Sequence, residues 1–256
     1  MTDYQALRLE RREGVALLTL NRPERRNAMT PELTQELPRA LDEIRRDGEA
    51  RALVITGTGS VFCAGGDLAM LGRMLEQPPE QNRREMGAFY RTYLDVLNLD
   101  VPAIAALNGH AVGAGAAFTL GCDIRLIAAG ATIGFTFLNL GLHPGMGTTH
   151  LLPQVVGSAH AAELIFTGRM VGAEEALAMG LVSRIVPPDR LLDEALALAA
   201  EMAAKPPSGV RMAKRALARP KIEGLEAALD YEAAAQMTSY ASPEMREAFA
   251  ALARKQ

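Results

Sequence analysis

Three short segments of this chain set arginines and bare glycine backbone where they could hold phosphate and steady a developing negative charge. The first is Asn21-Arg22-Pro23-Glu24-Arg25-Arg26-Asn27-Ala28-Met29, a turn after an apolar run. Guanidinium groups pair well with phosphate oxygens, so Arg25 and Arg26 are candidates for a phosphate clamp. A solvated surface loop is the other meaning of such a segment. The second is Gly57-Thr58-Gly59-Ser60-Val61-Phe62-Cys63-Ala64-Gly65-Gly66-Asp67-Leu68. Its small residues let backbone approach a ligand closely, and free N–H groups where a helix opens near Asp67 point at negative charge. It lacks the Gly-Lys-Ser/Thr ending of a Walker loop, and its glycines miss the G-x-G-x-x-G spacing of a dinucleotide site. A tight turn alone would also explain it. The third runs from Asn108 to Gly115, where Gly113-Ala114-Gly115 again brings bare backbone to a helix start. Two such donors converging on one point would make an oxyanion hole. The spacing leaves their convergence open.

The elements that must position these segments alternate. Residues 4–10 and 15–20 read as strands joined at Glu13-Gly14. Thr30 caps a helix through residue 46 with Pro31 in its first turn, and Pro38 inside it predicts a kink or break. Residues 52–56 read as a buried strand, residues 57–66 as a Gly-rich loop, and residues 80–97 as an amphipathic helix. A buried strand over 101–107 leads into the third segment, a small-residue helix to 120, and strands over 124–127 and 132–135. Beyond Thr148 the pattern predicts helices only, over 191–204, 210–218 and most of 224–256. Alternation argues an α/β fold, and the helical tail argues a separate layer or an oligomerisation element. Ala-rich helices such as 195–204 could equally pack internally.

Composition narrows the function classes. The 256 residues suit one large domain, and 27 basic against 30 acidic side chains give a net charge of −3. Such a chain is a poor candidate for nucleic-acid binding, so any phosphate site must be a local Arg or Lys cluster. Cys63 and Cys122 have no metal-ligand spacing and cannot form a disulfide framework; a reducing cytoplasm is the expectation. The N-terminus has no apolar core of a signal peptide, and the low-charge run over 101–122 carries Pro102, Asn108, His110 and several glycines, which argues against a membrane span.

In this order and spacing, NRPERRNAM, VFCAGGDL and NGHAVGAG followed by CDIRLIA resemble the signature blocks of the crotonase (enoyl-CoA hydratase/isomerase) family. GLHPGMGTTHLLPQVVG, FTGRMVGAEEALAMGLVSRIVP and the helical tail continue the match over nearly the whole chain. The resemblance implies a spiral of ββα units over residues 1–195, and a helical C-terminal trimerisation region over 196–256 within the same structural unit. It implies a homotrimer or a hexamer. It also implies a CoA (or acyl-carrier) thioester as substrate, with no tightly bound cofactor besides the coenzyme A that the substrate carries. The thioester oxygen would sit between the N–H groups of Gly66 and Ala114. Ala64 and Leu68 would meet the adenine through backbone atoms with Ala28 beside them, Arg25 or Arg26 would face the phosphates, and Asp67 belongs to the same block.

The pattern departs from a hydratase of that family at three places. Where the family's two water-adding glutamates stand, this chain has Ala117 and Phe137, and where some isomerases and dehalogenases hold a further acid it has Gly145. General acid–base groups contribute roughly 10²–10⁴-fold each, so hydration is expected to be crippled. His143 on the same loop is the nearest substitute, with an ordinary pKa near ~6.5 suited to acid–base work. His110 is a weaker one. Asp67 reads better as a helix-start residue than as a base, and Asp123 as structural. Tyr90, Tyr93 and Glu85 could line the acyl pocket. The loop 144–148 also resembles the family's decarboxylases of polyketide β-branching, but their Tyr and Lys are absent from residues 68–74. The leading expectation is an enzyme using an oxyanion-stabilised thioester enolate for isomerisation, decarboxylation or hydrolysis. The alternative is a non-catalytic acyl-CoA-binding or assembly subunit.

Overall fold

The computed structural model describes residues 4–254. Strands β1 (Leu7–Arg12) and β2 (Val15–Leu20) form an antiparallel hairpin with Arg12 opposite Val15. Its two turn residues, Glu13 and Gly14, both take positive φ (46° and 83°), the geometry whose twist matches that of a hairpin. All six residues of β2 are buried, as befits a strand covered on both faces. Beside it run β3 (Ala52–Gly57), β5 (Ala103–Leu107), β7 (Ile124–Ala128) and β10 (Arg184–Val186), in the sheet order β1-β2-β3-β5-β7-β10, all parallel from β2 onward.

A second, smaller sheet builds the spiral. β3 is followed by β4 (Val61–Cys63) and helix α2 (Leu68–Met74). β5 (Ala103–Leu107) is followed by β6 (His110–Val112) and α4 (Ala114–Leu120). β7 (Ile124–Ala128) is followed by β8 (Thr132–Gly134). The short strands pair in the order β4-β6-β8-β9, where β9 is Val171–Gly172. Each turn of chain thus lays one strand in each sheet, which is the expected ββα repeat.

Helix α1 (Pro31–Asp47) opens on Thr30, whose hydroxyl accepts from the Leu33 N–H at 3.4 Å. It runs unbroken past Pro38, contrary to the expected break: six buried side chains pin it to the core on both sides of the proline. Helix α3 (Pro79–Leu94) ends three residues early, in a tighter turn. Four strands escape a periodicity reading, one of them β6, which lies inside the segment from Asn108 to Gly115. β4 lies inside the Gly-rich loop, and β9 and β10 (Arg184–Val186) lie where only helices were expected. Two or three residues carry no detectable alternation; these segments are strands because β6, β8 and β7 offer them a ladder.

The C-terminal helices pack on their own core. Helix α7 (Leu191–Ala203) crosses residue 195 and lies against β3 and β5, with α6 (Ala173–Ala178) before it. Helix α8 (Pro207–Ile222) buries Lys214, which pairs with Asp123 at 2.7 Å. Asp123 also accepts from the Ala103 N–H at 2.8 Å, the structural role expected of it. The tail from 224 is two helices, α9 (Leu225–Tyr240) and α10 (Pro243–Ala253), separated where Ser242 caps the second by accepting from the Met245 N–H. Residues 255 and 256 of that tail lie outside the described residues. α9 lies along α3 and buries Glu232, whose carboxylate caps α5 (Thr148–Thr167) by accepting from the Gly147 and Thr149 N–H groups. Burial pushes that carboxyl up to about 7 against these donors.

Candidate active site

The two glycine-rich segments converge because the strands before them pair. β4 and β6 are parallel neighbours with Cys63 beside Ala111, so the residues after each run side by side to the starts of α2 and α4. Gly65 (φ +88°) sits so close that a Cβ there would lie 2.7 Å from the Val112 carbonyl oxygen and 3.3 Å from the Ala114 nitrogen. A Cβ on Gly115 would lie 2.4 Å from the Cys63 carbonyl oxygen. Only glycine allows this approach. Neither the Gly66 nor the Ala114 N–H donates to an acceptor among the described residues, and both residues line one cavity of about 730 Å³.

The arginine segment is bonded to the same loop. The Ala64 N–H donates to the Arg26 carbonyl at 3.0 Å and the Met29 N–H to the Gly65 carbonyl at 2.8 Å. Its anchor is Asn27, to which no local pattern assigns a role. Its buried side chain donates to the Thr58 and Val61 carbonyls and accepts from the Arg22 N–H. Arg26 and Asn27 both take positive φ, which asparagine tolerates better than most residues and which turns the arginines outward. Arg25, Arg26, Ala28, Ala64 and Leu68 line the cavity with the donors. Asp67 lines it too, but its carboxylate is occupied: it caps α2 by accepting from the Ala69 and Met70 N–H groups at 3.0 and 3.2 Å, and lies 3.7 Å from Arg25. The cap is the helix-start role expected of it, at a position that also lines the cavity.

The rest of the wall is mostly apolar. Met70 and Leu71 come from α2, Met86, Phe89 and Tyr90 from α3, and Phe137 and Leu142 from the turn after β8. The tail supplies Gln236, Tyr240 and Leu252, which no local pattern could assign to a site. Phe137 thus faces the cavity, whereas Ala117 is sealed in the core and does not line it. At Gly145 a Cβ would sit 2.5 Å from the Tyr90 hydroxyl and 2.8 Å from the Gln236 Nε2, so these two side chains occupy the space of any side chain there.

The proposed histidine bases are not brought to this cavity. His143 does not line it; its Nδ1 donates to the Pro144 carbonyl at 2.6 Å and its ring meets Tyr231 edge-on, 5.7 Å between centroids. His110 bonds Thr132 Oγ1 at 2.9 Å on an exposed face. Of the three helix residues offered for the pocket, only Tyr90 lines it; Tyr93 bonds Thr34, and Glu85 is held by Arg73, Gln77 and Gln81. Cys63 lies next to the donor loop, but burial pushes its thiol up to about 12, so it stays protonated and is a poor nucleophile. The lining carboxyls are Asp67 and Glu24, and Glu24 is exposed and paired with Arg22 at 2.5 Å. No cluster among the described residues could hold a metal ion, and no helix there is long and apolar enough to cross a membrane.

Two backbone donors at the floor of an apolar cavity, with arginines on the adjoining segment, fit an ester of a phosphate-bearing carrier. Similarity to other proteins agrees. A Thermus thermophilus protein carried under the provisional name enoyl-CoA hydratase is 41% identical over 212 residues, covering 83% of each chain. The short-chain-enoyl-CoA hydratase of Clostridium acetobutylicum is 32% identical over 248 residues, 96% of this chain and 94% of that one. The crystal structure of an enoyl-CoA hydratase/isomerase from Pseudoalteromonas atlantica superposes with a TM-score of 0.88 at 31% identity, covering 98% of both chains. The enoyl-CoA hydratase/isomerase family model matches residues 10–256, and the chain belongs to that family.

Proposed function

We propose that this acyl-CoA-processing enzyme holds its thioester carbonyl between the Gly66 and Ala114 N–H groups and uses them to stabilise an enolate, without a carboxylate pair to add water. The observation that carries this reading is the cavity itself: two unpartnered donors, and no lining carboxyl free to move a proton. Preorganised donors of this kind are worth about 3–4 kcal/mol each in a transition state. Enolate formation by loss of carbon dioxide needs no protein base, since the C–C bonding pair passes to the carbonyl oxygen. Double-bond isomerisation, which must also move a proton between carbons, and thioester hydrolysis, which passes through a tetrahedral oxyanion and not an enolate, are the other reactions that such an oxyanion hole serves. Relatives carry hydratase names, but Phe137 faces the cavity and Ala117 stands sealed behind it, where that reading would need carboxylates. Incubation with enoyl-, malonyl- and dienoyl-CoA esters, followed by mass, tests the proposal. Turnover other than hydration supports it; tight binding without turnover of any ester would return the protein to the class of acyl-CoA-binding subunits.

The substrate's carrier is expected to rest on Arg25 and Arg26, with Ala28, Ala64 and Leu68 against the adenine. Arg25 is half-exposed, so its phosphate contacts are open to screening. Replacing both arginines by Ala should weaken CoA ester binding about tenfold at low salt, with a smaller loss at high salt, since an exposed charge-assisted contact is worth about 1 kcal/mol. Equal affinity of the two proteins at low salt would remove the clamp.

The same reading includes a homotrimer or a hexamer in the cytoplasm. Because α9 spends its buried face on its own α3, the contact between copies must use outer faces. Phe166 on α5 and Leu217 and Met212 on α8 are 76%, 75% and 67% exposed, apolar side chains that a contact between copies would cover. Light scattering should give a mass of three chains or a multiple of three; a monomer at micromolar concentration would exclude the assembly.

A further inference from the structure

Thr136 is the first residue of the turn after β8; it is half-buried and lines the acyl cavity. The fold sets it beside one of the two donors. β6 and β8 are parallel with Val112 opposite Gly134, and the Gly113 N–H donates to the Gly134 carbonyl at 2.8 Å. Two residues on from that pair stand Ala114 and Thr136. The side chain turns toward the donor: a Cβ on Gly113, the residue before Ala114, would lie 3.5 Å from the Thr136 Oγ1. Beyond the neighbouring residues, that oxygen is the only described atom within 4 Å of the point, and Gly113 lines the cavity too.

The Thr136 hydroxyl bonds no group among the described residues, and it is not sealed: the one unpartnered side-chain polar atom without accessible surface is the Tyr90 oxygen. Its Oγ1 therefore opens on the cavity that Thr136 borders. The other hydroxyls of that wall are closed off or spent, Tyr90 by burial and Tyr240 on the Met86 sulfur at 3.8 Å. A threonine hydroxyl keeps its proton, so it binds and orients and does not replace the absent carboxyls. With the thioester oxygen on the Ala114 N–H, the next carbons of the acyl group, C2 and C3, pass the residues that flank this donor. A plain alkyl chain there would strip water from the Thr136 hydroxyl and give it no partner, which is unfavourable. An acceptor oxygen on C3 supplies the partner. It is one carbon removed from the thioester carbonyl, so one acyl group can reach two neighbouring protein groups at once.

We propose that the acyl group bound here carries an acceptor oxygen on C3, as a malonyl or a 3-oxoacyl ester does, and that Thr136 determines this specificity by donating a hydrogen bond to it. The proposal rests on the acyl-CoA reading above. Stopped-flow displacement of a fluorescent acyl-CoA from the full-length protein, which reads binding before turnover, tests it. 3-Methylbutanoyl-CoA has the shape of both candidates with methyl in place of oxygen. Malonyl-CoA or 3-oxobutanoyl-CoA should bind about tenfold more tightly than this isostere, the ratio expected of one well-made buried hydrogen bond. Which of them does so identifies the oxygen as a carboxylate's or a ketone's. In Thr136→Val the ratio should fall to near one, with 3-methylbutanoyl-CoA bound at least as well as by the parent; a merely structural role would move all the affinities together. Thr136→Ser, which keeps the hydroxyl, should keep the preference. If Thr136→Val does not fold, Thr136→Ala is read in the same way. A parent without preference for either ester, a preference that survives removal of the hydroxyl, or one lost in Thr136→Ser as well overturns the proposal. Those results leave the acyl-CoA reading standing; failure of every ester, 3-methylbutanoyl-CoA included, to bind would overturn both.

Discussion

Crotonyl-CoA given to the unmodified protein should lose its conjugated thioester absorbance at least about 10³-fold more slowly than with an ordinary hydratase of the family. The figure is a floor, set below the product of two general acid–base contributions of about 10² each. Water entering the cavity would meet Phe137, not a carboxylate, and Ala117 is packed behind the wall with no exposed surface. No other group takes over. Asp67 is held by two helix N–H groups, His143 is bonded to its own loop, and the Tyr90 phenol is too weak an acid to exchange its proton readily. On the proposed reading the donors bind the thioester and polarise it, but no lining group activates the water or delivers the α-proton. A rate equal to that of a hydratase would refute this reading. It would make Asp67, the one buried carboxylate on the lining, the first residue to replace.

Gly65→Ala should lower kcat/KM for whichever ester is turned over by about 10²–10³, the cost of losing one oxyanion donor. The effect comes from the juxtaposition of loops and not from the methyl group's chemistry. At φ +88° an L-residue is strained, and its Cβ would meet the Val112 carbonyl oxygen at 2.7 Å. Val112 is backbone at the end of a paired strand and cannot swing aside as a side chain would. The loop must withdraw, which carries the Gly66 N–H away from that of Ala114. Gly130→Ala is the matched control. Gly130 has φ +84° with nothing within 4 Å, so it shares the backbone strain without the collision. Both variants should lose about 1–3 kcal/mol of stability, and only the first should lose activity. If Gly65→Ala keeps kcat/KM within about threefold of the parent while the fold survives, the approach of the two loops is not what sets the donors.

By itself, the sequence determined those parts of the protein that depend on neighbours along the chain. The Glu13-Gly14 turn, the Thr30–Pro31 helix start and the apolar runs of β3 and β5 are all local signals, because turn chemistry, capping and burial on both faces each need only a few adjacent residues. The blocks around Arg25, Gly66 and Ala114 could be singled out for the same reason, since glycine before a helix start is a local pattern. Tertiary structure decided what those blocks do together. β4 is three residues long and exists because β6 pairs with it, and that pairing, with the bonds from residues 26–29, brings the loop at Gly65 up to the Ala114 nitrogen. The continuity of α1 through Pro38 was set by packing on either side, which outweighs the lost backbone bond. His143 lies off the cavity, because where its loop runs is set by packing against α9, whose Ser239 accepts from the His143 N–H and whose Gln236 donates to its carbonyl. The far wall was the least legible of all. Gln236 and Tyr240 reach Tyr90's cavity only when α9 lies along α3, some 140 residues distant in the chain, and no local periodicity carries information over that separation.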